Sequence, residues 1–198
     1  MRNKSYLDIL KKRSDAGFAL LITLVVVSVV LAIGLSLLFV TTRQYVLAVM
    51  ANESEEAFQA GQIGLECLRY WRGQPEMVAQ FLRDSSATPD PIECGDVSGA
   101  PVESSGTPFS DGHWLYRYAY RFDLSGDRCV EPTIYIADLR EYTGSDDVVD
   151  LAVSNEGLDT ISCAAGTVCT AIFSRGYNRP CDQLDSIYAI QREITIQF

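Results

Sequence analysis

The sequence contains few of the residues and motifs from which most active sites are built. Histidine occurs once, as His113, so any Ser-His or Cys-His arrangement must use this residue. It directly precedes Trp114 at the head of a predicted strand, a position more typical of a loop residue than of a catalytic base. Nucleophile motifs, phosphate-binding loops and HExxH zinc motifs are absent. The sequence therefore predicts a protein that is not an enzyme and that needs no cofactor.

Basic charge is scarce outside the first residues of the chain. The net charge is −10, but residues 1–16 hold five basic and two acidic side chains, a net of +3, so the remainder carries −13. A broad nucleic-acid surface needs clustered Lys and Arg, and we expect no nucleic acid on the acidic remainder. The asymmetry matches a positive-inside membrane anchor, with the N-terminus cytoplasmic and the acidic part translocated.

Charge is absent altogether from Phe18 to Val40, a run of 23 residues. A helix needs roughly 20 apolar residues to cross a bilayer, and a core element needs no such length. Three interpretations compete. A Sec signal peptide has a shorter apolar region and a cleavage site after it, which residues 49–51 imitate only weakly. An uncleaved anchor simply spans the membrane. A precursor cut between Gly17 and Phe18 keeps the run in the mature protein, and this junction favours the third interpretation.

The helical pattern continues past the apolar run. Residues 41–72 contain no proline, and their apolar positions recur every three or four residues. Gly61 and Gly64 are the strongest helix breakers among them, each costing about 1 kcal/mol relative to alanine. A Gly-Gln-Pro sequence at 73–75 ends the pattern, because proline cannot continue the helix. The sequence predicts one helix from Phe18 to Arg72, apolar all round at first and amphipathic later.

The rest of the chain has the patterns of a β-rich domain. Residues 75–83 predict a short helix, and 85–109, with four prolines, predict a loop. Aromatic residues alternate along 114–122, which predicts a half-buried strand that packs on the long helix. A stacking surface for a sugar or a base is the weaker interpretation of that row. Further expected segments are a turn at 125–127, a return strand at 130–137, an acidic turn-rich stretch at 143–160, and strands at 168–174 and 187–198. The predicted fold class is α+β, with an antiparallel sheet packed on the long helix.

CxxC pairs are absent, which weakens a zinc-binding interpretation of the cysteines. The six cysteines all lie beyond the apolar run, at Cys67, Cys94, Cys129, Cys163, Cys169 and Cys181. An even number in an exported domain predicts up to three disulfides, and the sequence leaves their fifteen pairings open. Asp146, Asp147 and Asp150 offer oxygen atoms for calcium. Their spacing is not that of an EF-hand loop, so an ordinary acidic loop is the preferred interpretation.

The basic leader, the Gly17-Phe18 junction and the helix that follows resemble the N-terminus of type IV pilins and pseudopilins. The resemblance covers residues 18–72, and residues 174–181 are loosely similar to minor-pilin heads. It implies that a prepilin peptidase cuts after Gly17 and that the new Phe18 amine is methylated. It also implies partners: other pilin subunits, the pilus assembly machinery and the membrane, which the chain crosses once. Asp15 and Ala16 are a departure, because they separate the basic cluster from Gly17, whereas the family usually has a basic residue directly before the glycine.

Ile22 is the more important departure from the family pattern. It occupies the fifth mature position, where major pilins carry a glutamate that pairs with the terminal amine of a neighbouring subunit. An unpaired charge in apolar surroundings is expensive, and a chain with isoleucine there cannot neutralise the subunit above it. The resemblance therefore implies a minor, tip-associated subunit. The plain alternative is that Ile22 belongs to an ordinary anchor helix.

These observations predict four segments: a basic leader at 1–17, a membrane or filament-core helix at 18–40, an amphipathic extension at 41–72, and an extracytoplasmic head at 73–198. The expected function is that of a structural minor pilin, held in the cytoplasmic membrane and carried to the cell surface on assembly. The alternative is a membrane-anchored binding or adhesion module that enters no filament. Motility, adhesion, DNA uptake and secretion all stay open as the system served.

Overall fold

The computed structural model describes residues 4–82, 89–110, 112–142, 144, 148–155 and 158–198. Helix α1 spans Lys4–Arg72 and helix α2 spans Pro75–Phe81. The strands among the described residues are β1 Ile92–Cys94, β2 Val97–Gly99, β3 Glu103–Ser110, β4 His113–Ala119, β5 Phe122–Leu124, β6 Arg128–Asp138, β7 Val148–Asn155, β8 Leu158–Ala164, β9 Val168–Tyr177 and β10 Gln191–Gln197. The chain divides into two compact units, Met1–Met50 and Ala51–Phe198.

Helix α1 ends at Arg72, as the sequence predicts. The amide of Gly73 donates to the carbonyl oxygens of Arg69 and Tyr70 at 3.1 and 3.0 Å, which satisfies acceptors left over at the helix end. Pro75 then occupies the first turn of α2, where its missing N–H costs nothing. The start of α1 differs from the prediction, because the helix already begins at Lys4.

A six-stranded antiparallel sheet forms the centre of the unit Ala51–Phe198. Its strand order is β10-β9-β6-β4-β3, and β5 also pairs with β6. Alternate residues of β6 and β9 pack into two different hydrophobic cores, because neighbouring side chains of a strand point to opposite faces of the sheet. Ile134 and Ile172 belong to the core shared with α1, whereas Tyr135 and Phe173 belong to a second core on the other face. Both faces of the sheet are therefore covered.

Each face of the sheet has its own cover. Helix α1 covers the first with a stripe of buried residues at Ala57, Ala60, Gly61, Gly64, Leu65 and Leu68. Their spacing of three or four residues places them on one side of the helix. The hairpin β7–β8 covers the second face through Leu151, Ile161 and Cys163. The α+β prediction, with a long helix packed on an antiparallel sheet, is confirmed.

The two glycines that weaken the helical pattern lie where α1 meets the sheet. A Cβ atom on Gly64 would lie 2.5 Å from Val130 Cγ2 and 2.6 Å from Ser174 Oγ. A Cβ on Gly176 of β9 would overlap the carbonyl oxygen of Ala57 and the amide nitrogen of Gly61. Helix and strand thus approach so closely that only hydrogen fits between the backbones.

The prediction of one continuous aromatic strand over 114–122 is wrong. Strand β4 ends at Ala119, which pairs with Thr133, and β5 restarts at Phe122, which pairs with Val130. Pro132 of β6 lies opposite the interruption and has no N–H with which to continue the ladder. The turn prediction at 125–127 is confirmed. Gly126 and Asp127 have φ values of 87° and 56° there, as a tight hairpin turn requires.

Two segments expected to be irregular contain strands. Within the predicted loop 85–109, the described residues form β1, β2 and most of β3. Its prolines are compatible with this, because Pro108 lies on an edge strand of the sheet. The acidic stretch 143–160 contains β7 and the start of β8, and Leu151 and Val153 within it are buried. Acidic residues near these positions, such as Asp150, concealed the alternation.

The remaining boundaries differ by a few residues. Helix α2 ends at Phe81 and not at residue 83. Strand β6 confirms the return strand at 130–137 and is slightly longer. Strand β9 extends three residues past the predicted end at 174, and β10 starts at Gln191 and not at 187.

Candidate functional site: an exposed apolar helix segment and a disulfide-linked head

The apolar run is exposed along its whole length in helix α1. Every large apolar side chain from Phe18 to Val40 is at least 46% exposed, and Ile22 is at that lower value. Its mean hydropathy reaches 3.0, and among the described residues this is the one helix long and apolar enough to cross a membrane. Burial of apolar surface contributes about 25 cal/mol per Å2, so water is an unfavourable environment for this segment. Length and composition suit it to lipid.

Two of the three hydroxyl groups within the apolar run form hydrogen bonds with the helix itself. The hydroxyl of Thr23 donates to the carbonyl of Leu20, and that of Ser28 donates to the carbonyl of Val25, each at 2.8 Å. A hydrocarbon environment offers no water to satisfy such groups, so internal hydrogen bonds remove the main penalty for carrying them.

The residues predicted for processing and assembly follow one another in α1. Gly17 and Phe18 are both helical, so the helix is continuous across the expected cleavage position. Phe18 is 67% exposed. Ile22 lies one helical turn further on, with an apolar side chain where the resembling family has a carboxylate.

All six cysteines are paired. The disulfides are Cys67–Cys94, Cys129–Cys181 and Cys163–Cys169. The prediction of three disulfides is confirmed, and the structure selects this pairing from the alternatives that the sequence left open.

Each disulfide joins two segments that are not paired with each other in a strand ladder. Cys67 of α1 is bonded to β1, a strand of three residues, and Trp71 Nε1 donates to the Glu93 carbonyl beside it at 2.9 Å. Cys181 ties the segment after β9 to β6. Its amide also donates to the Asp123 carboxylate at 2.7 Å. The third bond links the hairpin β7–β8 to β9.

The three aspartates considered as calcium ligands are only partly within the described residues. Asp146 and Asp147 lie outside them. Asp150 belongs to strand β7 and accepts a hydrogen bond from the Ser162 hydroxyl at 2.6 Å. In the part of the chain that the structure describes, no group of three or more acidic, histidine or cysteine side chains is placed to hold a metal ion.

His113 is the first residue of β4, and the prediction that it is a loop residue is therefore wrong. Its Nδ1 lies 3.0 Å from the carbonyl oxygen of Asp138, a pairing in which Nδ1–H donates. The imidazole ring also contacts the rings of Phe109 and Tyr142, with centroids 6.1 and 5.6 Å away. This half-buried histidine helps to hold β6 next to β4.

A cleft that the sequence did not reveal lies where β4 begins and β6 ends. These positions meet because Leu115 pairs with Ala137 in the antiparallel ladder. The cleft encloses about 430 Å3 and is lined by Leu82, Gly112, His113, Trp114, Tyr116, Asp138, Arg140 and Glu141. Sequence reasoning considered Trp114 only as part of the aromatic row, and the pairing of β4 with β6 was needed to bring the other groups beside it.

An ion pair gives the cleft a defined polar wall. Arg140 donates to both carboxylate oxygens of Asp138, from Nε at 2.9 Å and from Nη2 at 2.5 Å. These hydrogen bonds lower the pKa of Asp138 below its usual value. The carboxylate is therefore ionised and oriented at neutral pH. The side chain of Arg140 remains 62% exposed.

Comparison with protein-family models, with curated proteins and with solved structures finds no match for this chain. The architecture itself, a long N-terminal apolar helix followed by an antiparallel sheet, is consistent with a pilin-like protein.

Proposed function

We propose that this chain is a minor, tip-associated structural subunit of a type IV pilus or related pseudopilus. A prepilin peptidase removes residues 1–17, and the apolar segment holds the subunit in the cytoplasmic membrane until the assembly machinery transfers it to a filament. The observation that carries the proposal is the exposure of every large apolar side chain from Phe18 to Val40 on a helix that continues to Arg72. Such a segment suits lipid and a filament core alike.

The disulfides support an extracytoplasmic position for the head. Three disulfides use all six cysteines, and such bonds form and persist in oxidising compartments. Ile22 supports a position at the tip, because a terminal subunit has no neighbour above it whose amine needs a carboxylate. Neither observation requires catalysis, and we assign none.

Processing gives the sharpest test. The protein is expressed together with a prepilin peptidase and extracted from the membrane. Its mass should then be that of a chain that starts at Phe18. Gly17→Leu should block the cut, since a bulky side chain then stands at the scissile bond. Gly34→Leu is the matched control, because nothing lies within 4 Å of a Cβ at that position, and cleavage should proceed normally.

The other outcomes identify the alternatives. A full-length mass in the presence of active peptidase would overturn the proposal and leave a membrane-anchored binding module. A chain starting near Asn52 would indicate removal of the apolar run as a signal peptide.

A further inference from the structure

The cleft between the start of β4 and the end of β6 presents an aromatic ring that the core does not use. Trp114 is 40% exposed, whereas Tyr118, Tyr120 and Phe122 further along the aromatic row are at most 2% exposed. Tyr116 lines the cleft on the same face of β4 as Trp114, two residues away. Only the first part of the row is therefore available to a ligand.

Polar groups line the cleft together with this ring. The Asp138 carboxylate and the Arg140 guanidinium hold one another through two hydrogen bonds. The backbone that carries Asp138 is held by the bond from His113. Glu141, next to Arg140, adds an exposed carboxylate to the lining. The cleft thus combines an apolar platform with oriented donors and acceptors, which is the usual composition of a small-molecule site.

The charge balance decides which class of ligand fits. Two carboxylates, on Asp138 and Glu141, face one guanidinium, on Arg140, so the lining disfavours anions, including the phosphates of nucleic acids. Among the described residues no cluster of ligating side chains suits a metal ion. A neutral ring with many hydroxyls fits both features. Its C–H face stacks on the electron-rich face of an aromatic ring, and its hydroxyls pair with carboxylate acceptors and guanidinium donors.

We propose that this cleft binds a neutral sugar residue of a glycan. Trp114 is the stacking platform, and Asp138, Arg140 and Glu141 bond the hydroxyls. The volume of about 430 Å3 lies in the range of small-ligand sites. This function goes beyond a structural role in a filament, and it holds whether or not the chain is assembled into one.

The test is binding of the full-length protein to an array of immobilised neutral oligosaccharides. The terminal residues should include glucose, galactose, mannose and N-acetylglucosamine, with sialylated glycans alongside. The protein is kept in a detergent without a sugar headgroup, which would compete for the cleft. Trp114→Ala should weaken binding to the best neutral glycan at least tenfold, because truncating an aromatic anchor removes most of its contact. Tyr188→Ala is the matched control: Tyr188 is 66% exposed outside the cleft, and its loss should change affinity less than twofold.

Glu141→Gln provides a second variant that keeps the shape of the cleft and removes one charged acceptor. A reduced affinity for the same glycan, with an unchanged circular dichroism spectrum, supports the proposal. Three results would overturn it: no binding to any neutral glycan, binding only to sialylated ones, or neutral-glycan binding that survives Trp114→Ala.

Discussion

At the scale of single residues, three glycines lie where helix α1 approaches the central sheet. The atoms that a new methyl group would meet differ among them. At Gly176 they belong to the backbone of α1, at Gly64 they are the ends of the Val130 and Ser174 side chains, and at Gly61 the nearest atom is 3.4 Å away. Backbone atoms cannot move aside without shifting the helix, whereas side-chain ends can rotate. The three positions therefore have different tolerances.

Alanine substitutions should rank accordingly. Gly176→Ala should lower the free energy of unfolding by about 1–3 kcal/mol or more, the usual range for overpacking. Gly64→Ala should cost less, because a gain of up to about 1 kcal/mol in helix propensity offsets part of the strain. Gly61→Ala should be neutral or stabilising for the same reason. Urea unfolding of the detergent-solubilised chain, followed by circular dichroism, measures the series.

Gly61→Ala serves as the internal control for this series. If it destabilised the head as much as Gly176→Ala, the close backbone approach could not be the cause of the difference.

At the scale of elements, the disulfides differ in the length of chain that they close. Cys129 and Cys181 are 52 residues apart, and Cys163 and Cys169 are 6 apart. A longer closed loop removes more conformational entropy from the unfolded chain. The loop-closure relation gives about 4 kcal/mol for the first bond and about 2 kcal/mol for the second at 25 °C.

Double alanine variants should reveal this difference. Replacing Cys129 and Cys181 should lower the urea midpoint of the head more than replacing Cys163 and Cys169. Alanine is used and not serine, because a serine hydroxyl would be buried at most of these sites. Three of the four cysteine side chains are at most 3% exposed. In the native wild-type protein all six cysteines should resist alkylation until a reductant is added. Equal midpoints would contradict the entropic argument, and alkylation without reductant would contradict the pairing itself.

Elements with their own sequence pattern were predictable, and those that depend on distant partners were not. The end of α1 at Arg72 followed from the local Gly-Gln-Pro signal, and the turn at 125–127 from its own residues. The break after Ala119 depends on Pro132 in the neighbouring strand. The residues around 114–122 alone therefore could not predict it. The cleft depends in the same way on β6 pairing with β4, which places Asp138 beside His113. The disulfide pairing also needed the fold.

At the scale of the whole molecule, Ile22 bears on where the subunit stands in a filament. Under the proposed function, gold-labelled antibody against the head should mark one end of sheared filaments, and the chain should not polymerise without a major pilin. Ile22→Glu should reduce incorporation, because a carboxylate with nothing above it stays unpaired in apolar surroundings at a cost of a few kcal/mol. Ile22→Leu is the control that keeps the position apolar, and incorporation should be unchanged. Label spread evenly along the shaft would contradict a tip position.

The strand order leaves β10 and β3 at the ends of the five-strand path β10-β9-β6-β4-β3, and both of these edges are poor templates for aggregation. Strand β10 presents Arg192 and Glu193 among its exposed residues. Strand β3 contains Pro108, and its register shifts between Pro108 and Ser110. Charges, proline and irregular register all discourage the addition of another strand. When heads are crowded together, these two edges therefore do not promote a continuous cross-β sheet, and ordered self-association should use another surface.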